Sequence, residues 1–95
     1  MIFAELQVPQ PCSDIHAELH TCLAAVFPRV EHGLQGDSWL CVWEGDERVA
    51  VDTFTSMQHQ VKAPKATPLL RRVLEVLARR YRLQRFDPPL LEGHE

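Results

Sequence analysis

The chain has 95 residues, of which 45% are hydrophobic and 24% are charged, and its formal net charge is −3. These values are typical of one small globular domain and exclude disordered and fibrous proteins. A chain of this length buries only about 60–65% of its unfolded surface, so we expect a single thin core.

The compartment follows from the start of the chain and from its cysteines. MIFAELQVPQ has no basic segment and no long apolar run, so we predict no signal peptide. The longest apolar stretch, residues 22–27, is far shorter than the roughly 20 residues of a membrane span, so we expect no membrane as partner. Three cysteines without close pairing suit a reducing compartment, and we therefore expect a cytoplasmic protein.

The charges are unevenly distributed along the chain. Residues 1–55 carry nine acidic and two basic side chains, a local net charge of −7, whereas residues 56–95 carry eight basic and four acidic ones, a net charge of +4. In a compact domain, halves of opposite sign usually face each other or a second copy. The same asymmetry occurs in nucleic-acid-binding proteins, which is the less favoured interpretation.

The first two predicted elements are a strand and a helix. IFAELQV alternates strictly between apolar and other side chains and predicts a half-buried strand that ends at Pro9. SDIHAELHTCLAAVF has helical spacing, with Ser13 or Asp14 as its cap and Pro28 as its stop. The apolar stripe of this helix consists of Ile15, Leu19, Cys22, Leu23 and Val26. The following RVEHGLQGD is interpreted as a loop.

The second half of the chain predicts a hairpin, a helix and a short strand. SWLCVWEGDERVAVDTF favours a hairpin around residues 45–46, because glycine in the first loop position permits a positive φ. After the polar connection SMQHQVKAPKA, Thr67 caps a helix that has Pro68 in its first turn. Its core-facing residues are Leu70, Val73, Leu74, Leu77 and Tyr81. LQRFD is interpreted as the last strand.

The predicted order is strand, helix, strand, strand, helix, strand. This β-α-β-β-α-β order indicates a ferredoxin-like α+β sandwich, in which two helices cover one face of an antiparallel sheet. Residues 1–87 are predicted to form this single domain, and residues 88–95 are predicted to be a flexible tail. Without the last strand, the domain would be a three-stranded sheet beneath two helices.

The hairpin register decides which way the two tryptophans point. With a two-residue loop, the side chains on the face opposite the helices are Trp39, Cys41, Trp43, Arg48, Ala50, Asp52 and Phe54, joined by Phe3 and Glu5. A three-residue loop would turn the tryptophans inward and set Glu44 opposite Arg48. That loop requires glycine at its third position, where the sequence has Glu47, so the two-residue register is favoured.

In the favoured register, the sheet exposes a large aromatic surface. Trp39, Trp43 and Phe54 would offer about 500 Å² or more, and the largest apolar patch of a typical monomer is about 300–600 Å². The cover could be the tail at 88–91, the connection at 56–66, a second copy of the protein or another molecule.

This surface carries the predicted function. Arg48 could stack on Trp43, and Asp52 could accept a hydrogen bond from Trp39. We therefore predict a non-enzymatic interaction module that self-associates or binds an unknown protein partner through this face. Trp39, Trp43 and Phe54 would be the anchors of the contact, and Arg48 and Asp52 would orient it.

A second group of residues could carry chemistry. Cys12, His16 and His20 are spaced four residues apart at the first helix, and two histidines in this spacing can hold a metal. A cysteine at the start of a helix is also a potential nucleophile, but no orienting group or oxyanion donor can be named. We therefore expect no metal, cofactor or catalytic residue. The alternative is a small metal- or thiol-dependent enzyme that uses these three residues.

The second helix is rich in arginine and offers another alternative. Its basic residues are Arg71, Arg72, Arg79, Arg80 and Arg82. Glu75 stands four residues from Arg71 and from Arg79, which is typical of a solvated helix surface with ion pairs. Nucleic-acid binding by this helix remains the alternative, with an affinity that falls steeply with salt. No small-molecule ligand can be named from the sequence.

Overall fold

The computed structural model describes residues 1–91 and contains one sheet and two helices. In chain order the elements are β1 (Ile2–Leu6), α1 (Cys12–Ala24), β2 (Val30–Gln35), β3 (Asp37–Glu44), β4 (Glu47–Asp52), β5 (Gln60–Lys62), α2 (Pro68–Ala78) and β6 (Leu83–Leu90). The strands lie in the order β2-β3-β4-β5-β1-β6, and each neighbouring pair is antiparallel. The predicted α+β class is confirmed.

The strand order differs from the predicted ferredoxin-like order, because the sequence does not predict β2 or β5. β2 extends the sheet beyond β3, and β5 separates β1 from β4. The segment interpreted as a loop pairs with β3 along its whole length, from Val30 opposite Val42 to Gln35 opposite Asp37. Gly36, with a φ of 76°, makes the tight turn between the two strands, in a conformation that costs glycine little.

Both helices pack on one face of the sheet and share one core with it. This core combines residues of α1 and α2 with four completely buried side chains of the hairpin: Leu40, Val42, Val49 and Val51. α2 begins as predicted, since Thr67 Oγ1 accepts a hydrogen bond from the Leu70 backbone N–H at 3.1 Å. All five residues predicted to face the core from this segment are buried. No helix in the described part of the chain is long and apolar enough to cross a membrane.

The start and end of α1 differ from the prediction. The helix begins at Cys12, its N-cap residue is Pro11, and no side chain caps it, so neither Ser13 nor Asp14 has the predicted role. Val26 lies beyond the last helical residue and is 52% exposed, so it does not extend the apolar stripe. In its place, His16 belongs to the buried face of the helix.

β6 forms one edge of the sheet and runs through both prolines at 88–89 to Leu90. Its pairing with β1 shifts between Ala4, opposite Arg85, and Ile2, opposite Leu90. Prolines are tolerated at such an irregular edge because their missing N–H groups leave no ladder bond unmade. The segment predicted as a tail therefore overlaps this strand, and residues 92–95 lie outside the described residues.

Candidate functional site

The β3–β4 hairpin has the two-residue turn that the sequence favours. Trp43 pairs with Arg48 and Trp39 pairs with Asp52, which is the predicted register. Gly45, at the first turn position, has a φ of 58°. The alternate side chains of β3 are completely buried against the helices, whereas both tryptophans are half-buried. The tryptophans therefore project from the face opposite the helices, which we call the open face.

Two arginines cover part of Trp43. The guanidinium carbon of Arg29 lies 4.7 Å from the indole centroid, and that of Arg48 lies 5.6 Å from it. Both distances are within the range of cation–π attraction. The indole Nε1 is buried and makes no hydrogen bond to the described residues. Part of the aromatic surface that the sequence predicts to be exposed is thus covered within the chain.

Trp39 packs against a glycine of the neighbouring strand. Gly33 is the pairing partner of Trp39, and a Cβ atom on this glycine would lie 2.5 Å from the indole Nε1 and 2.6 Å from Cε2. No side chain fits between the strand and the ring at this distance. Gly33 therefore sets the position of the Trp39 ring, a role that the loop interpretation of this segment could not predict.

A cavity of about 390 Å³ opens on the open face. Four of the five predicted contact residues line it: Trp39, Arg48, Asp52 and Phe54. Trp43, the fifth, is not among the lining residues. Phe54 is 56% exposed, so its ring both borders the cavity and projects into solvent. The structure thus brings most of the predicted contact residues together around one depression.

The wall of this cavity contains a buried ion pair that the sequence does not predict. Lys62 Nζ of β5 lies 2.7 Å from Asp52 Oδ1 of β4, and the two side chains are only 7% and 6% exposed. Asp52 Oδ1 also accepts a hydrogen bond from the Phe54 backbone N–H at 3.2 Å, so its partners differ from the predicted Trp39. A buried pair is tolerated when further hydrogen bonds satisfy it, and Thr55 Oγ1 lies 3.3 Å from Lys62 Nζ. Asp52 therefore has a charged partner within the chain.

A second polar group, the histidine cluster, lies on the helix side of the sheet and consists of His16, His20, His32, His59 and Ser38. His16 Nδ1 is 2.6 Å and His59 Nε2 is 2.7 Å from the Ser38 hydroxyl. His16 Nε2 is 3.0 Å from His32 Nδ1, and the His32 ring stacks on that of His20 with centroids 3.9 Å apart. Four of the five histidines of the chain therefore meet at one place.

The surroundings of His16 and His59 favour the neutral form of these two imidazoles. Burial, followed by the charges of His32 and His20, lowers the pKa of His16. Burial, followed by the charge of His16, lowers the pKa of His59 to about 4, although Asp52 acts in the opposite direction. Ser38 is completely buried, so its hydroxyl does not face solvent as a nucleophile would.

The residues of the metal or thiol alternative all lie on α1 but make different contacts. His16 and His20 meet His32, but Cys12 lines a different cavity of about 500 Å³ together with Asp37 and Thr53. Stacked imidazoles present their faces to each other, whereas the nitrogen lone pairs that bind a metal lie in the ring plane. Within residues 1–91, no three His, Cys, Asp or Glu side chains form a group that could hold a metal ion.

The arginines of the second helical segment pair with acids from the first half of the chain. Arg72 forms an ion pair with Glu44, and Arg80 Nε lies 3.2 Å from Glu18 Oε1. Glu18 also accepts a hydrogen bond from Tyr81 at 2.7 Å, and this bond is the largest cause of its lowered pKa. The oppositely charged halves of the sequence therefore face each other in part within one molecule.

Comparison of the chain with protein-family models, with curated proteins and with solved structures finds no match in any of the three.

Proposed function

We propose that this protein is a non-enzymatic binding module that pairs with a second copy of itself through the open face of its sheet. The proposal rests on the exposure of Phe54. Its side chain is 56% exposed and lines the cavity of the open face. Burial of this exposed ring, and of the Trp39 ring that lines the same cavity, against another apolar surface is favourable.

The shape of the open face supports a second copy as the occupant. A two-fold axis brings the same patch of both molecules together, so each protruding group needs a matching recess on the same patch. Phe54 is such a group, and the cavity beside Trp39 is such a recess. In a two-fold pair, Phe54 of each copy packs against Trp39 of the other. Aromatic pairs of this kind contribute about 0.5–1.5 kcal/mol beyond the buried area.

The charges of the open face also permit contact between identical surfaces. Asp52 and Lys62 neutralise each other within each molecule. Arg48 lies on this face, and so does Glu31, because Glu31 pairs with Cys41 across the β2–β3 ladder. A face that carries both signs can meet its own copy without placing only like charges opposite each other.

The ionisable groups at the cavity support binding rather than catalysis. Burial raises the pKa of the Cys41 thiol, which therefore stays protonated at neutral pH and is a poor nucleophile. Asp52 Oδ1 already contacts Lys62 and the Phe54 backbone N–H, so this oxygen is engaged within the chain rather than by a ligand.

Light scattering over a concentration series tests the proposal with a matched pair of variants. We expect the wild type to reach the mass of a dimer and Phe54→Asp to dimerise at least about 100-fold more weakly, because it places a charge at the contact centre. Val26→Asp is the control, since Val26 is exposed and follows α1 in the helical layer. This variant should dimerise like the wild type. A wild type that is monomeric at every concentration would contradict the proposal.

A further inference from the structure

Ser38 of β3 is joined to two other segments of the chain, α1 and residues 53–59, by four hydrogen bonds. Its hydroxyl contacts His16 of α1 at 2.6 Å and His59 at 2.7 Å. Its backbone N–H donates to Thr53 Oγ1 at 3.0 Å, and its carbonyl accepts from the Thr53 N–H at 3.0 Å. Residues 53–59, which join β4 to β5, are thus attached to this one serine at both of their ends. The same segment carries Phe54.

The two bonds to the Ser38 hydroxyl require that at least one of the two imidazoles is neutral. A hydroxyl has one hydrogen, so it donates to one ring nitrogen and accepts an N–H from the other ring. An imidazolium has no acceptor nitrogen. If both rings are protonated, the hydroxyl hydrogen has no partner, and two positive charges face one completely buried oxygen. In the closed state, in which residues 53–59 are attached to Ser38, protonation of both rings is therefore unfavourable. In the open state, in which this segment is detached, the two rings no longer share the hydroxyl and can both take up a proton.

The groups that surround the two rings add to this effect. His20 of α1 and His32 of β2 face His16, and a positive charge on either of these rings disfavours a positive charge on His16. Asp52 of β4 faces His59 and favours its charged form, but Lys62 of β5 already contacts this carboxylate at 2.7 Å. Burial outweighs Asp52, and the pKa of His59 is lowered to about 4.

We propose that the histidine cluster is a pH-sensitive switch, in which proton uptake by His16 and His59 releases residues 53–59 and with them Phe54. Thr53 loses its attachment to Ser38 when the segment opens, and Phe54 is the next residue in the chain. Loss of self-association on acidification is a second consequence, and this consequence alone rests on the proposed function of the open face.

Amide hydrogen exchange of the full chain tests the switch without reference to binding. The reporters are the amides of Ser38 and Thr53, and the reference is the amide of Val42 in the middle of β3. The pKa of His59 is about 4 in the closed state and about 6.5 in the open state. The equilibrium constant for opening should therefore be roughly thirty-fold larger at pH 5 than at pH 8. We expect the protection factors of both reporters to fall accordingly and to stay well below that of Val42 at each pH, because Val42 exchanges only when the whole molecule unfolds. Protection factors of Ser38 and Thr53 that equal that of Val42 at both pH values would show that the segment opens only on global unfolding and would overturn the proposal.

A matched pair of histidine variants assigns the effect to the cluster. Glutamine can donate and accept a hydrogen bond but does not titrate, so His59→Gln should reduce the pH dependence of the reporter amides to the part that His16 contributes. His94→Gln changes the histidine that lies outside the described residues, and it should behave like the wild type. If His59→Gln does not fold, NMR titration of the wild-type rings replaces it. A His59 that titrates near its ordinary pKa would then overturn the switch.

Light scattering at pH 8 and pH 5 separates the two proposals. A dimer at pH 8 that dissociates at pH 5, together with the change in exchange, supports both. A dimer that persists at pH 5 despite the change in exchange overturns the link between the switch and the open face. A monomer at both pH values contradicts the proposed function, and hydrogen exchange still decides whether the switch exists.

Discussion

The contact between Gly33 and Trp39 is a residue-scale feature with a measurable consequence. Gly33→Ala should destabilise the protein by about 1–3 kcal/mol, because the new methyl group would lie 2.5 Å from the indole and force it to move. The displaced ring should also change its emission. We would measure both by urea unfolding and fluorescence in a Trp43→Phe background, where Trp39 is the only tryptophan.

Gly36→Ala provides the control for this prediction. Gly36 has a φ of 76°, and no atom lies within 4 Å of the place that a methyl group would take, so alanine there strains only the backbone. It should lower stability without moving the emission of Trp39. An unchanged emission maximum in Gly33→Ala would show that the ring does not depend on this glycine.

The side chains of the open face could be predicted from the sequence, but their partners could not. Local turn chemistry at residues 45–46 sets the hairpin register, which in turn sets the direction of Trp39 and Trp43. Lys62 and Ser38 gave no such signal, because each acquires its role from residues of distant segments. The sequence therefore indicated the open face and the pair of His16 and His20, but it did not indicate that His32, His59 and Ser38 join this pair.

At the scale of elements, the two helix starts should respond differently to loss of a hydroxyl. Thr67→Ala removes the bond to the Leu70 N–H and should cost about 1 kcal/mol. Ser13→Ala should cost much less, because no side chain caps α1 and Ser13 is exposed. Chemical denaturation of the two variants measures the difference. Equal losses would mean that the cap of α2 has no special role.

The predictability of each element follows from how local its determinants are. α2 and the hairpin were predicted because a capping residue, a turn glycine and a clear periodicity lie within a few residues of each other. β5 has only three residues, all of them buried, and two are polar side chains with partners on β1 and β4. Such a strand shows no alternation to detect, and its omission led to the wrong strand order.

At the scale of the whole molecule, we expect stability to decrease as the pH falls from 8 to 5. The pKa of His59 is lowered to about 4 in the folded state, so between about pH 6.5 and pH 4 this histidine is protonated in the unfolded chain but neutral in the folded chain. The contribution of His59 to the free energy of unfolding is therefore fully present above about pH 6.5 and is lost as the pH falls toward 4. The loss at pH 5 should be about 2 kcal/mol from His59 alone, and His16 acts in the same direction.

Urea unfolding at pH 8 and pH 5, followed by tryptophan fluorescence, checks this prediction. His94→Gln should show the same loss as the wild type, whereas His59→Gln should lose less. An identical free energy of unfolding at both pH values would contradict the burial of a neutral His59.

The two edge strands of the sheet differ in how readily they could pair with a strand of another molecule. β6 has two prolines and an irregular register, so its outer side cannot offer a complete row of hydrogen-bonding groups. β2 has neither feature, and its pairing with β3 is regular throughout. A fibre grows by strand addition only if both edge strands of every subunit can pair with a neighbour. With one margin closed, stacking of this kind ends after a single pairing event, which protects a small β-rich chain from polymerisation.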